Sequence, residues 1–315
     1  YYLTQATKCS TIYLSMKIGG FFNEIWLFGM GILCHNLVKI TAIFLYRYFI
    51  IRPNLGNNVM KKITAGAALI TGLMGVSLSH AQSLPIDNNA RLKLGANASI
   101  NHYGYDKDND ITLMPQAFYD NNRLYIEGSE AGVYGYKDAN NEWRLTASYD
   151  GRAFDPNDSD HAAIKHLDER KWSALIGSSY MRITPYGGFK VQAETDTLGR
   201  SDGTTAKIAH LSKFKAMDNK LTVYPELGLQ WYNDKYNDYY FGVSQQEAAR
   251  SGVSRYQADS SVNPYFNISA SYNFTPRWSG FVSQHLEYLS DTQKDSPLVD
   301  SRIDSKTKVG FNYQF

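Results

Sequence analysis

The amino-acid sequence predicts an all-β protein: an antiparallel up-and-down transmembrane β-barrel of about 12 strands (10–14), with long extracellular loops and short periplasmic turns. Apolar and polar residues alternate with period two through most of residues 82–315, which places all the apolar side chains of a strand on one face. The alternating segments run about 9–13 residues, as in tilted membrane strands, whereas strands of soluble proteins average about 5–6. Aromatic residues lie near the ends of the apolar faces, as in the aromatic girdles of membrane barrels.

Composition narrows the classes of function. The 315 residues include Lys+Arg 32 and Asp+Glu 30, so the chain has no basic footprint for nucleic acid. Tyr 24 and an aromatic content of 14% suit a sheet-rich protein or one with a membrane interface, because tyrosine has an apolar ring and a polar hydroxyl. Both cysteines, Cys9 and Cys34, precede residue 82. A disulfide scaffold, a thiolate metal site and a cysteine nucleophile are therefore excluded from residues 82–315.

Residues 1–59 contain apolar patches that are interrupted by Glu24, His35, Lys39 and Arg47. No uninterrupted run reaches the ~18–20 apolar residues that span a bilayer comfortably. We interpret this region as a non-native upstream extension, translated from a misplaced start. The alternative is an N-terminal membrane segment.

A signal-peptide pattern follows in residues 60–81, "MKKITAGAALITGLMGVSLSHA". Lys61 and Lys62 form a basic start, an apolar stretch follows, and Ser-His-Ala is a small-x-small cleavage site. The pattern predicts cleavage between Ala81 and Gln82, which makes residues 82–315 an envelope barrel. The alternative is an internal apolar helix with the same pattern.

Twelve strands are predicted from the alternation. In one of them, Trp143, Leu145, Ala147 and Tyr149 lie opposite a polar face. The predicted strands are 91–103, 110–119, 122–128, 131–137, 141–151, 171–182, 185–196, 203–214, 219–232, 263–274, 276–289 and 303–315.

The connections sort by length onto two ends. With both termini in the periplasm, the periplasmic turns are all short: 120–121, 138–140, 183–184, 215–218 and 275–276. The three longest connections, 152–170, 233–262 and 290–302, all fall on the outer side. A β-sandwich gives no reason for this sorting, and a membrane barrel requires it.

The last strand carries an alternating apolar face of Val309, Phe311, Tyr313 and Phe315. These residues are expected to face lipid, with Phe315 at the periplasmic interface. A terminal Phe with alternating aromatics resembles the assembly signal of outer-membrane barrels. The alternative is a chance aromatic end on a soluble strand.

Candidate chemistry is sparse. Asp106, Asp108 and Asp110 resemble a calcium loop, but Ile111 stands where that loop has Gly, and Ala117 where it has Glu. We interpret the segment as an acidic outer loop, able to bind divalent cations loosely beside lipopolysaccharide. No metal site or cofactor is predicted.

Histidines give no stronger candidate. His161 and His166 share an acidic loop, but the sequence supplies no further zinc-ligand pattern. Ser283 and His285 share one strand face without an assignable third group, so no catalytic residues and no enzymatic activity are predicted. The charges expected on the inward faces more often cross-link a small barrel than select ions; they are Arg91, Lys93, Arg144, Asp150, Glu226, Arg277 and Glu287.

The C-terminal third contains two further motifs, "YNDYYFGV" and "DSPLV". With the "Y-x-F" end, they resemble the MipA/OmpV family of outer-membrane proteins, the MltA-interacting scaffold proteins. A "LDERKW" segment (167–172) matches diffusely. The matching residues are Tyr236, Asn237, Asp238, Tyr239, Tyr240, Phe241, Gly242, Val243, Glu247, Ala248, Tyr256, Asp295, Ser296, Pro297, Leu298 and Val299.

The resemblance implies a bacterial outer-membrane barrel without known catalysis. It also implies a scaffold role that joins a periplasmic murein lytic transglycosylase to a murein synthase. The alternatives are a narrow channel for small solutes and a surface adhesin or antigen. The membrane partners expected are outer-membrane lipid and lipopolysaccharide.

From the residues alone, the aromatic motif is expected to pack a long loop over the barrel mouth; the alternative is that it binds a ligand or partner. Gly242 is expected to permit a turn that its neighbours could not make. Because "DSPLV" lies in the neighbouring outer loop, the two motifs are expected to touch and form a lid. The barrel would then be narrow rather than open.

Overall fold

The computed structural model describes residues 83–107 and 110–315. The two upstream segments, 1–59 and 60–81, lie outside the described residues, as do Gln82 and Asp108.

The described residues form one antiparallel sheet of thirteen strands, in the order β11-β12-β13-β1-β2-β3-β4-β5-β6-β7-β8-β10-β9 with β10 also paired to β11. The strands are β1 (Lys93–His102), β2 (Asp110–Asp120), β3 (Leu124–Glu127), β4 (Glu130–Lys137), β5 (Asn141–Asp150), β6 (Ser173–Thr184), β7 (Gly187–Asp196), β8 (Thr204–Leu211), β9 (Phe214–Ala216), β10 (Leu221–Tyr232), β11 (Ser261–Asn273), β12 (Trp278–Tyr288) and β13 (Ile303–Gln314).

The sheet closes on itself between its first and last strands. β13 pairs with β1 in a continuous register from Lys93↔Gln314 to His102↔Ser305. The backbone N–H of Phe315 extends this seam by donating to the carbonyl of Leu92 at 3.0 Å. The predicted antiparallel transmembrane barrel is confirmed.

β8 and β9 are two parts of one interrupted barrel strand. The barrel therefore has twelve strand positions, which we call staves. Both pair with the same side of β10, first at Glu226↔Leu211 and then at Val223↔Phe214. The interruption lies opposite Pro225, whose carbonyl accepts from the N–H of Ser212 at 2.9 Å. In an antiparallel pair the N–H and C=O of one residue point to the same neighbour, and proline has no N–H to donate there. The missing donor explains the break.

Four of the five short turns differ in position from those predicted. The turn after β2 is 121–123 rather than 120–121, because Asp120 belongs to β2. Residues 183–184 belong to β6, so the turn predicted there is wrong. The turn is instead at 185–186, where Pro185 starts it and Gly187 has a φ of 126°. The next turn is 217–220 rather than 215–218, with positive φ at Met217, Asp218 and Asn219. The residues that favour turns therefore set these two bends two residues later than the strand alternation predicted. The turn after β11 is residues 274–277, which include the predicted 275–276.

The exterior is apolar and the interior is polar. On β13, Val309 and Phe311 are exposed, as is Phe315 just beyond it, while Asn312 faces inward and is buried. Tyr313 is half-buried between Trp278 and Phe315, with ring centroids 5.0 Å and 4.9 Å away. The expected outward face is therefore observed, and its role as an assembly signal remains a prediction.

Within residues 83–107 and 110–315, the helices lie in the long loops. They are α1 (Asp234–Phe241), α2 (Gln245–Ser251) and α3 (Asp291–Lys294), accompanied by two 3₁₀ turns, Pro156–Asp158 and Ile164–His166. Within the part of the chain that the structure describes, no helix is long and apolar enough to span a membrane.

Replacing Phe315 with Ser is expected to lower, several-fold, the amount of folded barrel recovered from outer membranes. The substitution removes the ring that packs on Tyr313 at the closing seam. Folded protein is measured by heat-modifiable migration on gels. Phe214→Ser is the matched control, because Phe214 is 62% exposed and Phe315 is 64% exposed. Equal losses in the two variants would contradict a special role for the terminal residue.

Candidate functional site

The apolar core of the protein lies in the outer loops rather than in the lumen. We call this cluster of buried side chains the outer-loop core. The rings of Tyr105 and Phe154 are 4.8 Å apart, and those of Tyr105 and Phe241 are 5.6 Å apart. Its members are Tyr105, Phe154, Ile164, Leu167, Tyr232, Tyr236, Tyr240, Phe241, Val243, Ala258, Leu289, Leu298 and Val299. They come from five different connections and strand ends, so the loops pack into one structure.

Helix α1 carries the aromatic motif into this core. The side chain of Asn233 caps the helix by accepting from the N–H of Tyr236 at 3.0 Å. Helical spacing then puts Tyr236, Tyr240 and Phe241 on the buried face. Tyr236 stacks on Tyr232 with centroids 4.6 Å apart. The expected packing of the motif over the mouth is observed.

Gly242 is needed for space rather than for an unusual backbone conformation. The expected special turn is wrong, because Gly242 has φ −78° and ψ 158°, which any residue adopts. A Cβ at this position would lie 2.3 Å from the carbonyl oxygen and 2.5 Å from the carboxylate of Asp238. The end of helix α1 passes too close to this residue for any side chain.

A buried ion pair joins the "LDERKW" segment to helix α2. Nη2 of Arg170 lies 2.8 Å from Oε1 of Glu247 and donates to the carbonyl of Gly242 at 2.9 Å. Glu247 also accepts from the N–H groups of Ser244 and Asp168, at 2.9 Å and 3.0 Å. Burial alone would raise the pKa of Glu247, but these donors and the guanidinium outweigh it and lower the pKa to about 2. The carboxylate of Glu247 thus links the β5–β6 loop to the β10–β11 loop.

The two sequence motifs are in contact, as expected. The hydroxyl of Ser296 donates to the carbonyl of Phe241 at 2.6 Å, and the side chain of Leu298 is fully buried beside it. Tyr256 and Val243 form a two-bond bridge, and the Tyr256 hydroxyl donates to the carbonyl of Thr292 at 2.8 Å.

The remaining motif residues have peripheral positions. Asp295 ends α3 with an exposed side chain, and Pro297 is half-buried. Asp238 is exposed and accepts from the N–H of Ala258. The hydroxyl of Tyr239 accepts from the N–H of Lys171 at 2.9 Å. Asp238, Asp295 and Pro297 therefore lie outside the outer-loop core, and Tyr239 packs against its edge, with its ring 4.8 Å from that of Tyr240.

An amide chain ties the loop helices to the barrel wall. Asn237 on α1 accepts at 2.9 Å from Gln293 on α3. Asn263 on β11 donates to Gln293 at 2.7 Å and to Glu287 on β12 at 2.6 Å. All four side chains are buried, so each needs the partners that the others supply.

Beneath the outer-loop core, the lumen contains the buried ion pair of Arg152 and Asp304, with 2.5 Å between Nη2 and Oδ2. The guanidinium also lies 5.2 Å from the ring centre of Phe241. The ion pair therefore joins the loop after β5 to β13. It also touches the packed outer loops that contain the outer-loop core, which we call the lid. Sequence reasoning missed Arg152 and Asp304, although it placed the neighbouring Asp150 inside the barrel.

Two adjoining cavities, of about 170 Å³ and 250 Å³, lie in the lumen, and Arg152 and Asp304 line the smaller one. Asp150, Tyr232 and Tyr236 line both. Because Tyr236 belongs to α1, the lid supplies part of the wall of each cavity.

Farther down the lumen, Arg144 lies among carboxylates and tyrosines. Its guanidinium is 2.6 Å from Glu142 and 3.0 Å from Glu127, and 4.5 Å from the ring centre of Tyr125. The predicted cross-linking role of inward charges is confirmed for Arg144. Two of the residues predicted to face inward do not lie on strand interiors: Arg91 precedes β1 and Arg277 lies in a turn, and both are exposed.

The other candidate groups have different partners from those considered. Nε2 of His161 lies 3.1 Å from Oδ2 of Asp106. The hydroxyl of Ser283 donates to Asn267, and His285 lies 3.9 Å from Glu287. Among residues 83–107 and 110–315, no group of three or more His, Cys, Asp or Glu side chains is arranged to hold a metal ion.

A closed twelve-stave barrel with an apolar exterior, a polar lumen and long loops at one end defines an outer-membrane β-barrel protein. The sequence profile of the family described as MltA-interacting protein MipA matches residues 94–315. The chain belongs to this family.

Two curated relatives agree with the assignment. The MltA-interacting protein of Escherichia coli K12 is 34% identical over 255 residues, which cover 81% of this chain and 98% of that protein. The outer membrane protein OmpV of Vibrio cholerae is 23% identical, over 66% of this chain and 73% of that protein. Among solved structures, the COG4313 outer membrane channel from Pseudomonas putida F1 matches with a TM-score of 0.37 and 8% identity, covering 76% of this chain and all of that chain.

The chain is therefore an outer-membrane barrel of this family. The family is described as an MltA-interacting protein, and the Escherichia coli relative that the chain covers almost end to end is named for that interaction.

Replacing Phe241 with Ala is expected to destabilise the lid by about 3–5 kcal/mol, the usual cost of emptying a buried aromatic site. Phe241 is fully buried and touches both the Tyr105 ring and Arg152. Limited proteolysis of the folded barrel in micelles should cut residues 233–260 faster. Leu198→Ala, at a 47% exposed site in another outer connection, is the control. Unchanged cleavage in the Phe241 variant would contradict a packed lid.

Acidification is expected to weaken the contacts through which Glu247 links the β5–β6 and β10–β11 loops. A carboxyl whose folded pKa is lowered contributes stability above its unfolded pKa, here 4.5, and loses that contribution as pH falls toward about 2. The protection factors of the amides of 244–251, which compare each exchange rate with the intrinsic rate at the same pH, should therefore fall as the pH drops between these values. In Glu247→Gln the amides should exchange faster at neutral pH and lose that pH dependence. A wild-type-like profile in Glu247→Gln would assign the effect to other groups.

Proposed function

We propose that this protein is an outer-membrane scaffold that holds a periplasmic murein lytic transglycosylase, and through it a murein synthase, at the inner face of the membrane. The observation that supports the proposal is the match to a relative that is named for its interaction with MltA. The match covers 98% of the length of that relative. A relationship over the whole barrel includes the periplasmic turns as well as the lid.

The geometry supports a role at the periplasmic end. At the other end, the fully buried Phe154, Tyr240 and Leu298 belong to loops packed against one another. A mouth filled by a side-chain core favours neither free solute flow nor a mobile adhesive loop. The rim of short turns is the opposite exposed surface.

That rim is held in a fixed conformation by the segment before β1. The N–H of Leu84 donates to the carbonyl of Lys137 at 2.7 Å, and the N–H of Asp87 donates to the carbonyl of Asn121 at 3.0 Å. The side chain of Asn122 donates to the carbonyl of Pro85 at 3.0 Å. The segment thus lies across two turns and adds a preformed edge, which lowers the ordering cost of binding a partner.

Exposed apolar side chains lie on the same rim. Tyr186 is 85% exposed at the β6–β7 turn, and Ile86 is 53% exposed in the segment before β1. Aromatic residues are favoured anchors at protein interfaces. We include both residues in the surface that contacts the transglycosylase.

Outer-membrane lipid and lipopolysaccharide are the proposed surroundings of the apolar exterior. The targeting segments complete the proposal: 60–81 is a signal peptide cleaved between Ala81 and Gln82, and 1–59 is an upstream extension. The N-terminal residue of protein isolated from membranes tests both segments, and Gln82 is the expected result.

The channel and adhesin alternatives are separable by measurement. Stable single-channel steps in planar bilayers would favour a channel. Loss of host-cell attachment on deletion of residues 233–260, with assembly intact, would favour an adhesin.

The detergent-purified protein is expected to capture a murein lytic transglycosylase, and the double variant Ile86→Ser/Tyr186→Ser to bind it at least ~10-fold more weakly. A tenfold loss corresponds to about 1.4 kcal/mol, which is usual for an interface anchor. Titration by surface plasmon resonance measures the difference. Leu198→Ser, at the opposite end of the barrel, is the control and should bind normally.

A failed scaffold proposal and a misplaced interface give different binding results. Absence of any transglycosylase binding by the wild-type protein would overturn the scaffold. Normal binding by the Ile86/Tyr186 variant would move the interface away from this part of the rim.

A further inference from the structure

The two lumenal cavities have the size of a small-molecule site. Individually they measure about 170 Å³ and 250 Å³, and together they fall within the ~300–1,000 Å³ usual for such sites. They adjoin at Tyr232 and Tyr236. A solute of several heavy atoms therefore fits without displacing the lid.

Four side chains in the cavity walls have a buried polar atom without a hydrogen-bond partner among the described residues. They are Nη1 of Arg152 and Oδ1 of Asp304 in the smaller cavity, Oε1 of Gln192 in the larger, and Oδ2 of Asp150, which borders both. Arg152, Asp304 and Gln192 are 6% exposed or less, and Asp150 is half-buried. Buried polar atoms normally have partners, so these four mark positions where a ligand can donate and accept hydrogen bonds.

The unpartnered atoms specify a group that both donates and accepts. Arg152 and Asp304 are bonded to each other through Nη2 and Oδ2, which leaves the Nη1 group of the guanidinium and one carboxylate oxygen on the same ion pair. A hydroxyl group can accept from the first and donate to the second. A simple cation or anion can satisfy only one of them.

Each of four wall carboxylates has at least one donor. Glu287 accepts from Tyr232 and Asn263, at 3.1 Å and 2.6 Å. Glu194 accepts from Thr146 and Ser148, at 3.0 Å and 2.9 Å. Oδ1 of Asp150 accepts from the backbone N–H of Arg152 at 3.2 Å, and Oδ2 of Asp304 accepts from the Arg152 side chain. Because Arg152, Lys207 and Lys306 line the same walls, charges of both signs are present, and the walls do not require a charged ligand for compensation.

Tyrosine rings supply the apolar part of the lining. Tyr103, Tyr232 and Tyr236 border the smaller cavity together with the ion pair. Rings beside fixed polar groups form a lining of the kind found in small-molecule sites, and they suit a solute with C–H faces and several hydroxyl edges. We propose that the lumen beneath the lid is a binding site for a small neutral polyhydroxylated solute of the monosaccharide class.

The test is calorimetric titration of the intact folded barrel in detergent. The neutral probes are D-glucose, D-galactose and D-mannose, and the charged probes are D-glucosamine and D-glucuronate, which keep the same ring. At least one neutral hexose should bind saturably, and at least ~10-fold more tightly than either charged sugar. Absence of saturable binding by all three hexoses would overturn the proposal. Tighter binding of a charged sugar would also overturn it.

Two independent variants locate the site. Arg152→Gln/Asp304→Asn removes the ion pair while keeping polar side chains of similar size, and Gln192→Leu removes the acceptor from the other cavity. Each folded variant should bind the hexose at least ~10-fold more weakly, because a hydroxyl partner is lost. Gln192→Leu keeps the test decisive if the ion-pair variant does not fold.

Ser283→Ala is the matched control, because Ser283 faces the lumen through a hydrogen bond to Asn267 but lines neither cavity. Its affinity should equal that of the wild type. Wild-type affinity in every folded cavity variant, or an equal loss in Ser283→Ala, would place any hexose binding elsewhere and overturn the proposal.

Discussion

Backbone hydrogen bonding in lipid is the constraint on which the rest of the structure depends. An unpaired N–H or C=O facing hydrocarbon costs several kcal/mol, so a membrane sheet must have no free edge. The seam between β1 and β13 satisfies this requirement through ten paired residues on each strand. Once the seam fixes the register, period two decides which side chains face lipid and which face the lumen. The lumen can then be polar because its groups pair with one another, as Arg144 does with Glu142.

A barrel with a polar interior has to build its apolar core somewhere else. Here that core lies in the outer loops, where Tyr105, Phe154 and Phe241 are fully buried or nearly so. The core is connected to the wall through polar contacts, among them Asn237 with Gln293 and Arg152 with Asp304. Lid and lumen are therefore one structure, and the shape of the cavities depends on loop packing as much as on strand number.

Sequence alone predicted the staves well because alternation is a local property. It placed twelve staves and the apolar face of β13 correctly, and it brought the two outer-loop motifs together. It misplaced the β6–β7 turn, where Pro185 and Gly187 rather than the alternation set the bend. Pairs such as Arg152 with Asp304, separated by 152 positions, could not be found because only the closed barrel brings them together. Gly242 was correctly singled out, but for the wrong reason: the crowding comes from the end of α1.

The stretch that precedes β1 sets an order on folding. Leu84 and Asp87 are bonded to the carbonyls of Lys137, at the end of β4, and of Asn121, in the turn after β2, so these carbonyls are in place only when both hairpins have formed. The stretch comes out of the ribosome before those hairpins, yet it can dock only after them. It therefore docks late, after the N-terminal half of the barrel has reached its native arrangement.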